Sequence, residues 1–137
     1  MDLELRDQVV LVTGAAGGLG SAIARAFAAE EARVIVHYRT GRERAAALRR
    51  ELGDSAICLR ADLRRERAVQ RLFAEAIRRC GRVDILVANA GAWEDADVPF
   101  SELSLRQWRA TLDAVLTSAF LCLREFARIV ARQRRGN

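Results

Sequence analysis

Short apolar segments alternate with helix-like segments along almost the whole chain, and this alternation restricts the fold more than any other feature. Patterns typical of buried strands occupy residues 8–13, 33–38, 55–60 and 82–91. Helical patterns lie at 19–31, from Thr40 onwards, at 64–80 and from about 104 to 134. Because continuously apolar strands need helices on both faces, the sequence predicts an α/β fold with a doubly wound parallel sheet.

The strand order 3-2-1-4 satisfies the preference for right-handed crossovers. It places the first two helices on one face of the sheet and the other two side by side on the opposite face. Thr40 with Glu43 and Ser104 with Gln107 have the spacing of capping boxes, which predicts a helix start at each place. Because no linker or internal repeat interrupts the pattern, residues 1–137 are expected to form a single domain.

The composition argues against several classes of protein. No apolar run approaches the roughly 20 residues of a membrane span, so no membrane partner is expected. All 23 basic residues are arginine and alternate with glutamate along the predicted helices, which favours solvated helix faces over a nucleic-acid surface. Cys58, Cys80 and Cys122 lack metal-type spacing, and their odd number argues against a disulfide framework. A reducing cytoplasm is the compartment that this pattern favours.

A glycine-rich turn, TGAAGGLG at residues 13–20, follows the first predicted strand directly. Such a turn aims backbone N–H groups and the positive end of a helix at one point, which suits a pyrophosphate. A P-loop is excluded because it needs a lysine, and the chain has none. The spacing that fits is T-G-x-x-x-G-x-G, although a tight strand-to-helix connection without a ligand is the alternative.

Two further motifs accompany the turn: Asp62 follows the third strand, and Asn-Ala-Gly at 89–91 ends the fourth. In this combination the chain resembles the N-terminal, cofactor-binding half of the short-chain dehydrogenase/reductase family over essentially its whole length. The resemblance implies a Rossmann-type fold truncated to about four strands and a nicotinamide dinucleotide as partner. The residues expected to bind the cofactor are Gly14, Ala16, Gly17, Gly18, Leu19, Gly20, Arg39, Asp62, Leu63, Asn89, Ala90 and Gly91.

The resemblance also implies a role for each group of residues. Residues 14–19 would cradle the pyrophosphate, and Asp62, with the backbone of Leu63 beside it, would accept a hydrogen bond from the adenine amino group. Residues 89–91 would lie against the adenosine ribose and steady the central strand. One departure is Ala88, which stands where the family motif usually has a second asparagine.

The end of the second strand bears on the choice between NADP and NAD. An NAD site usually has Asp or Glu about 20 residues beyond the glycine motif, whereas this chain has Tyr38 followed by Arg39. A guanidinium can pair with a 2′-phosphate through two charge-assisted hydrogen bonds, and Arg42 is expected within reach. NADP is therefore favoured over NAD, with a solvated Arg39 as the alternative.

The residues that perform the family's chemistry are missing from this chain. The family transfers hydride between nicotinamide and a carbonyl or alcohol, with a tyrosine, a lysine four residues later, a serine and an asparagine. The chain has no lysine, its one tyrosine is Tyr38, and Val115 stands at the asparagine position. No catalytic residue is therefore assigned, and the chain alone is expected to be catalytically incompetent. His37 is interpreted as structural. Glu94, Asp95 and Asp97 belong to a polar loop, and their side chains are expected to be solvated.

The packing expected for these elements leaves apolar surface uncovered. The fourth strand, DILVAN, would form an apolar sheet edge in the absence of a fifth strand. The last helix, at about 104–134, is apolar beyond one stripe, which implies a homo-oligomer unless the surface is buried in the core. Glu31 stands where the family often has glycine in the left-handed conformation.

Two functional hypotheses follow. The first is the cofactor-binding part of an NADP-dependent reductase of carbonyl compounds, in the manner of 3-oxoacyl reductases. The second is a non-catalytic dinucleotide-binding or dimerisation module, and a remnant that does not fold stably ranks third.

Overall fold

The structure, a computed structural model, describes residues 3–92 and 98–135, with side chains described as far as residue 133. The elements in chain order are β1 (Val9–Val12), α1 (Gly18–Ala29), β2 (Arg33–Tyr38), α2 (Arg42–Leu52), β3 (Ala56–Arg60), α3 (Glu66–Cys80), β4 (Ile85–Val87), a 3₁₀ turn (Phe100–Glu102), α4 (Leu105–Leu112), a π-helical turn (Asp113–Thr117) and α5 (Ser118–Arg135).

The four strands form one parallel sheet in the order β3-β2-β1-β4, which confirms the predicted topology. Val10 of β1 stands opposite Val34 of β2 on one side and Ile85 of β4 on the other. Because all strands run in the same direction, their carboxyl ends meet at one edge of the sheet. The turns that follow the four strands therefore share that edge.

Alternating side chains of the strands build two separate cores. Val9, Leu11 and Ile35 face α3 and α5, where they pack with Phe73 and Cys122. Val10, Val12, Val34 and Val36 face α1 and α2 and pack with Ala24, Ala45 and Leu48 on the other side of the sheet. The helices are thus distributed between the two faces as the sequence predicts.

One of the two predicted capping boxes is present. At the start of α4, Gln107 N donates to Ser104 Oγ at 3.2 Å, and Ser104 N donates to Gln107 Oε1 at 3.0 Å. The predicted box of Thr40 and Glu43 is wrong, because Gly41 is the N-cap of α2 and no side chain caps it. Gly41 has φ 74°, and this left-handed turn leaves Thr40 one residue outside the helix.

The predicted single helix at 104–134 is interrupted by the π-helical turn at Asp113–Thr117. Ser118 Oγ donates to the carbonyl oxygens of Ala114 at 2.7 Å and Val115 at 3.3 Å, which satisfies backbone groups within the wide turn. Beyond the turn, Cys122 and Ile129 lie in the core. Leu116, Phe120 and Leu123 stay more than half exposed.

β4 is shorter than predicted, and a side chain of α5 binds the segment just before it. Within the described residues β4 pairs with β1 alone. Just before it, Gln133 of α5 accepts a hydrogen bond from Val83 N at 3.1 Å and donates one to Val83 O at 3.0 Å. A helix side chain therefore occupies backbone groups that would otherwise be buried without partners.

Candidate functional site

A cleft of about 500 Å³ opens at the carboxyl ends of the strands. Every residue that the sequence predicted for cofactor binding lines it, from the glycine turn through the ends of β2, β3 and β4. These residues are Gly14, Ala16, Gly17, Gly18, Leu19, Gly20, Arg39, Asp62, Leu63, Asn89, Ala90 and Gly91. Residues that are far apart in the chain are thus brought to one side of the molecule.

The glycines of the turn serve two different purposes. Gly14 has φ 66°, and a Cβ atom on it would lie 2.9 Å from Ala90 Cα. A Cβ on Gly20 would overlap the carbonyl oxygen of Gly14. A Cβ on Gly18, in contrast, would meet no protein atom within 4 Å. Packing therefore requires Gly14 and Gly20, whereas the space at Gly18 is left open beside the cleft.

The first turn of α1 leaves several backbone donors without partners. Gly17 N donates to Gly14 O, and the first hydrogen bond of helical spacing runs from Ser21 N to Gly17 O. Among the described residues, the N–H groups of Gly18, Leu19 and Gly20 have no hydrogen-bond acceptor. No side chain caps this helix and no acidic residue lies in its first turn. The combination favours an anion at this point.

The ends of β1 and β4 are joined by Thr13, whose side chain is buried. Its Oγ1 accepts from the backbone N–H groups of Asn89 and Ala90, each at 3.0 Å, and donates to Val87 O at 3.2 Å. Asn89 Nδ2 donates to Thr13 O at 3.0 Å. These bonds hold residues 89–91 against the glycine turn and leave little freedom to the floor of the cleft.

Two arginines bring positive charge to the end of β2. Arg39 and Arg44 both line the cleft, and neither makes an ion pair with a described residue. The sequence pointed to Arg42, but Arg42 does not line the cleft and Arg44 does. The guanidinium of Arg44 packs against Gly41: a Cβ atom on Gly41 would lie only 2.9 Å from Arg44 Nη2. Arg44 was not predicted from the sequence, because the left-handed Gly41 sets the direction of the first turn of α2.

Among the described residues that line the cleft, Asp62 is the only carboxylate, and it is paired with Arg64. Arg64 Nε and Nη2 donate to the two carboxylate oxygens, each at 2.8 Å. These bonds lower the pKa of Asp62 to about 2, so the group is ionised at neutral pH. Arg64 is not among the residues predicted from the sequence, because nothing in its local pattern shows that its side chain turns back onto Asp62.

His37, Tyr38 and Ser118 are further polar residues that line the described part of the cleft. Burial lowers the pKa of His37 to about 4, which keeps the ring neutral. Val115 lies against the floor, with its Cγ2 3.5 Å from the position of a Cβ on Gly91. Glu94, Asp95 and Asp97 lie outside the described residues. Within those that are described, no three His, Cys, Asp or Glu side chains are grouped as metal ligands.

A parallel sheet of order 3-2-1-4, with a glycine turn leading from its first strand into a helix, defines a Rossmann fold. The chain belongs to the short-chain dehydrogenase/reductase family: the family model described as short chain dehydrogenase matches residues 8–137. Members of this family are oxidoreductases that use nicotinamide dinucleotides.

Individual relatives agree with this assignment. A 3-oxoacyl-(acyl-carrier-protein) reductase of Synechocystis is 34% identical over 135 residues, which cover 96% of this chain and 54% of the relative. A 3beta-hydroxysteroid dehydrogenase of Eggerthella lenta is 35% identical over 137 residues, covering 97% of this chain and 52% of the relative. The chain therefore spans about half the length of these two relatives.

The fold also matches a solved structure. A dehydrogenase/reductase from Sinorhizobium meliloti superposes with a TM-score of 0.85 at 32% identity, covering 91% of this chain and 50% of the other.

No helix in the described part of the chain is both long and apolar enough to cross a membrane.

Proposed function

We propose that this chain is the NADP(H)-binding portion of a short-chain dehydrogenase/reductase that interconverts carbonyls and alcohols by hydride transfer. The observation that carries the proposal is the juxtaposition of two features in one cleft. The uncapped N-terminus of α1 offers backbone donors at Gly18 and Leu19, and unpaired guanidinium groups stand at Arg39 and Arg44. Together they suit a pyrophosphate and a 2′-phosphate on the same molecule.

The residues present fit an NADP molecule laid across the strand ends. The turn at 14–19 would hold the pyrophosphate, and residues 89–91 would face the adenosine ribose. Asp62 would accept a hydrogen bond from the adenine amino group, since an ionised carboxylate has more acceptor sites than Arg64 uses. No carboxylate lies at the end of β2 to bind a ribose 2′-hydroxyl, so NAD is the less suitable cofactor.

When bound, the nicotinamide would donate or accept the hydride, and this chain would supply the binding surface for the cofactor. A proton must also move to or from the substrate oxygen, and a phenol with a pKa near 10 needs help to do so at neutral pH. The chain has no lysine, and Tyr38 lies beside Arg39 at the end of the cleft assigned to adenosine. We therefore assign no catalytic residue and propose that the chain alone does not turn over.

As the substrate class we propose a 3-oxoacyl or another carbonyl compound, because a relative named as a 3-oxoacyl reductase matches almost the entire chain.

The cytoplasm is the proposed compartment, since Cys58, Cys80 and Cys122 are all free.

We propose a homo-oligomer formed through α4 and α5. Trp108 on α4 is 49% exposed, Leu116 in the π-helical turn is 64% exposed, and Phe120 and Leu123 on α5 are each 53% exposed. Apolar side chains exposed in this number on neighbouring turns are typical of an interaction surface. Arginine alternates with glutamate along the helices, which favours solvated faces, so nucleic acid is not proposed as a partner.

The second candidate function is a non-catalytic dinucleotide-binding or dimerisation module. It is favoured by the same intact cleft and apolar helix face combined with the absence of a lysine and of a second tyrosine. Turnover distinguishes the candidates only when a partner or further chain supplies the missing groups, so binding is the first property to measure.

The test is calorimetric titration of the purified chain with NADPH and, separately, with NADH. Circular dichroism and size-exclusion chromatography establish beforehand that the chain is folded and not aggregated. We expect saturable binding of NADPH and binding of NADH that is weaker by about tenfold or more, because a 2′-phosphate adds charge-assisted hydrogen bonds. A folded chain that binds neither nucleotide would contradict the proposal.

A further inference from the structure

His37 bridges two strand ends from inside the sheet. It is 2% exposed, and its Nδ1 lies 3.1 Å from the backbone nitrogen of Gly14. Its Nε2 lies 3.2 Å from the carbonyl oxygen of Ala61. Gly14 begins the glycine turn, and Ala61 immediately precedes Asp62. The ring therefore connects the turn to the strand end that carries Asp62.

The two partners determine which ring nitrogen carries the proton. A backbone N–H can only donate, so Nδ1 must be the bare, accepting nitrogen. A backbone carbonyl can only accept, so Nε2 must carry the proton that is donated to Ala61. The neutral imidazole satisfies both partners at once, and neither nitrogen is left to bind a substrate or a metal.

The backbone of His37 holds the next amide of the same turn. Ala15 N donates to His37 O at 3.0 Å, so the N–H groups of Gly14 and Ala15 both donate to His37. Gly17 N is taken by Gly14 O. The backbone donors left for a ligand among the described residues are then Ala16 N and those at the start of α1, beginning with Gly18 and Leu19.

Resting on the proposed function, we propose that His37 is a positioning residue for the dinucleotide. It orients Gly14 so that the donors at Gly18 and Leu19, rather than those at the beginning of the turn, face the pyrophosphate. Its hydrogen bond to Ala61 O keeps the ring proton on Nε2, so that Nδ1 stays the acceptor for Gly14 N. Its role is exerted through hydrogen bonds to the backbone and involves no contact with the cofactor.

Two substitutions separate the halves of the bridge. Asn places an amide oxygen near the position of Nδ1, so His37→Asn keeps an acceptor for Gly14 and gives up the bond to Ala61. Gln is one methylene longer and reaches the Nε2 position, so His37→Gln keeps a donor for Ala61 and gives up the acceptor for Gly14. Each variant loses one neutral hydrogen bond, so the two are matched in expected stability.

The experiment measures NADPH dissociation constants for the wild type and both variants, with urea unfolding as the control for stability. We expect His37→Asn to bind within about threefold of wild type and His37→Gln to bind about tenfold more weakly at similar stability. Rescue by Asn and not by Gln is a pattern that a merely space-filling histidine would not produce. Equal affinities for the two variants would overturn the proposal.

A second measurement does not depend on the cofactor. Nitrogen NMR of the cofactor-free chain with labelled histidine is expected to show a bare Nδ1, a protonated Nε2 and a coupling from Nδ1 to the Gly14 amide. A proton on Nδ1 would overturn the placement of His37 and leave the proposed cofactor standing. If the bare Nδ1 is seen but wild type binds no NADPH, the proposed function is overturned together with the positioning role.

Discussion

Gly20 packs against the carbonyl oxygen of Gly14 so closely that no side chain fits between them. A Cβ on Gly20 would also lie 2.8 Å from Asn89 Nδ2 and 2.9 Å from Ala15 Cα. Gly20→Ala is therefore expected to lower the free energy of unfolding by about 3 kcal/mol, since the clash is with backbone that cannot move aside. Urea denaturation measures this.

Gly18→Ala is the matched substitution within the same turn. Because a Cβ there meets nothing within 4 Å, the free energy of unfolding is expected to stay the same or to rise by about 0.5–1 kcal/mol. The added methyl group occupies the space we assign to the pyrophosphate, so NADPH binding should weaken at least about tenfold. A Gly18→Ala chain that binds NADPH as tightly as wild type would remove the turn from the site.

Arg39→Ala and Arg44→Ala test the choice of cofactor. Each is expected to weaken NADPH binding by about tenfold, the loss of roughly 1.5 kcal/mol for a charge-assisted contact, and to change NADH binding little. Arg42→Ala is the control, since Arg42 is exposed on α2, the helix that carries Arg44, but does not line the cleft. Equal losses for NADPH and NADH would indicate that the arginines act on the fold rather than on the 2′-phosphate.

The stability of the chain is expected to fall between pH 6.5 and about pH 4 because of His37. Burial lowers its pKa from 6.5 to about 4, so in this range the unfolded chain binds a proton that the folded chain does not. Stability is fully present above pH 6.5, and about 3 kcal/mol of it is lost as the pH falls through the folded pKa. Urea unfolding of wild type and His37→Gln across this range measures the difference, and parallel curves for the two chains would contradict the assignment.

Glu31 has φ 62°, a left-handed conformation that glycine adopts without strain. Glu31→Gly is expected to raise the free energy of unfolding by up to about 1 kcal/mol, less the small contribution of the exposed ion pair with Arg6. Glu30→Gly is the control, because Glu30 has φ −89° and gains nothing from glycine. Thermal unfolding should move in opposite directions for the two variants, and a shared direction would count against strain at Glu31.

The sequence predicted those parts of the molecule that depend on local pattern. Apolar strands alternating with helices led to the sheet order, and the motifs at residues 13–20, Asp62 and 89–91 identified part of the cleft lining. These inferences succeed because strand ends in a parallel sheet necessarily meet at one edge.

The features that the sequence did not predict depend on the backbone conformation and side-chain orientation of individual residues. Gly41 displaced the expected cap at Thr40, and the π-helical turn before Ser118 became evident only from its backbone hydrogen bonds. Arg44 and Arg64 reach the cleft by side-chain orientation, which has no periodic signal. His37 acts on Gly14 and Ala61, residues 23 and 24 positions away, and no local pattern records such a bridge.

The central claim is that one cleft holds the pyrophosphate at the start of α1 and a 2′-phosphate at Arg39 and Arg44. A crystal structure of the chain grown with NADPH tests it most directly. We predict the pyrophosphate oxygens within hydrogen-bond distance of the Gly18 and Leu19 amides and the 2′-phosphate paired with the two guanidinium groups. An adenosine bound elsewhere, or a 2′-phosphate that neither arginine contacts, would contradict the account.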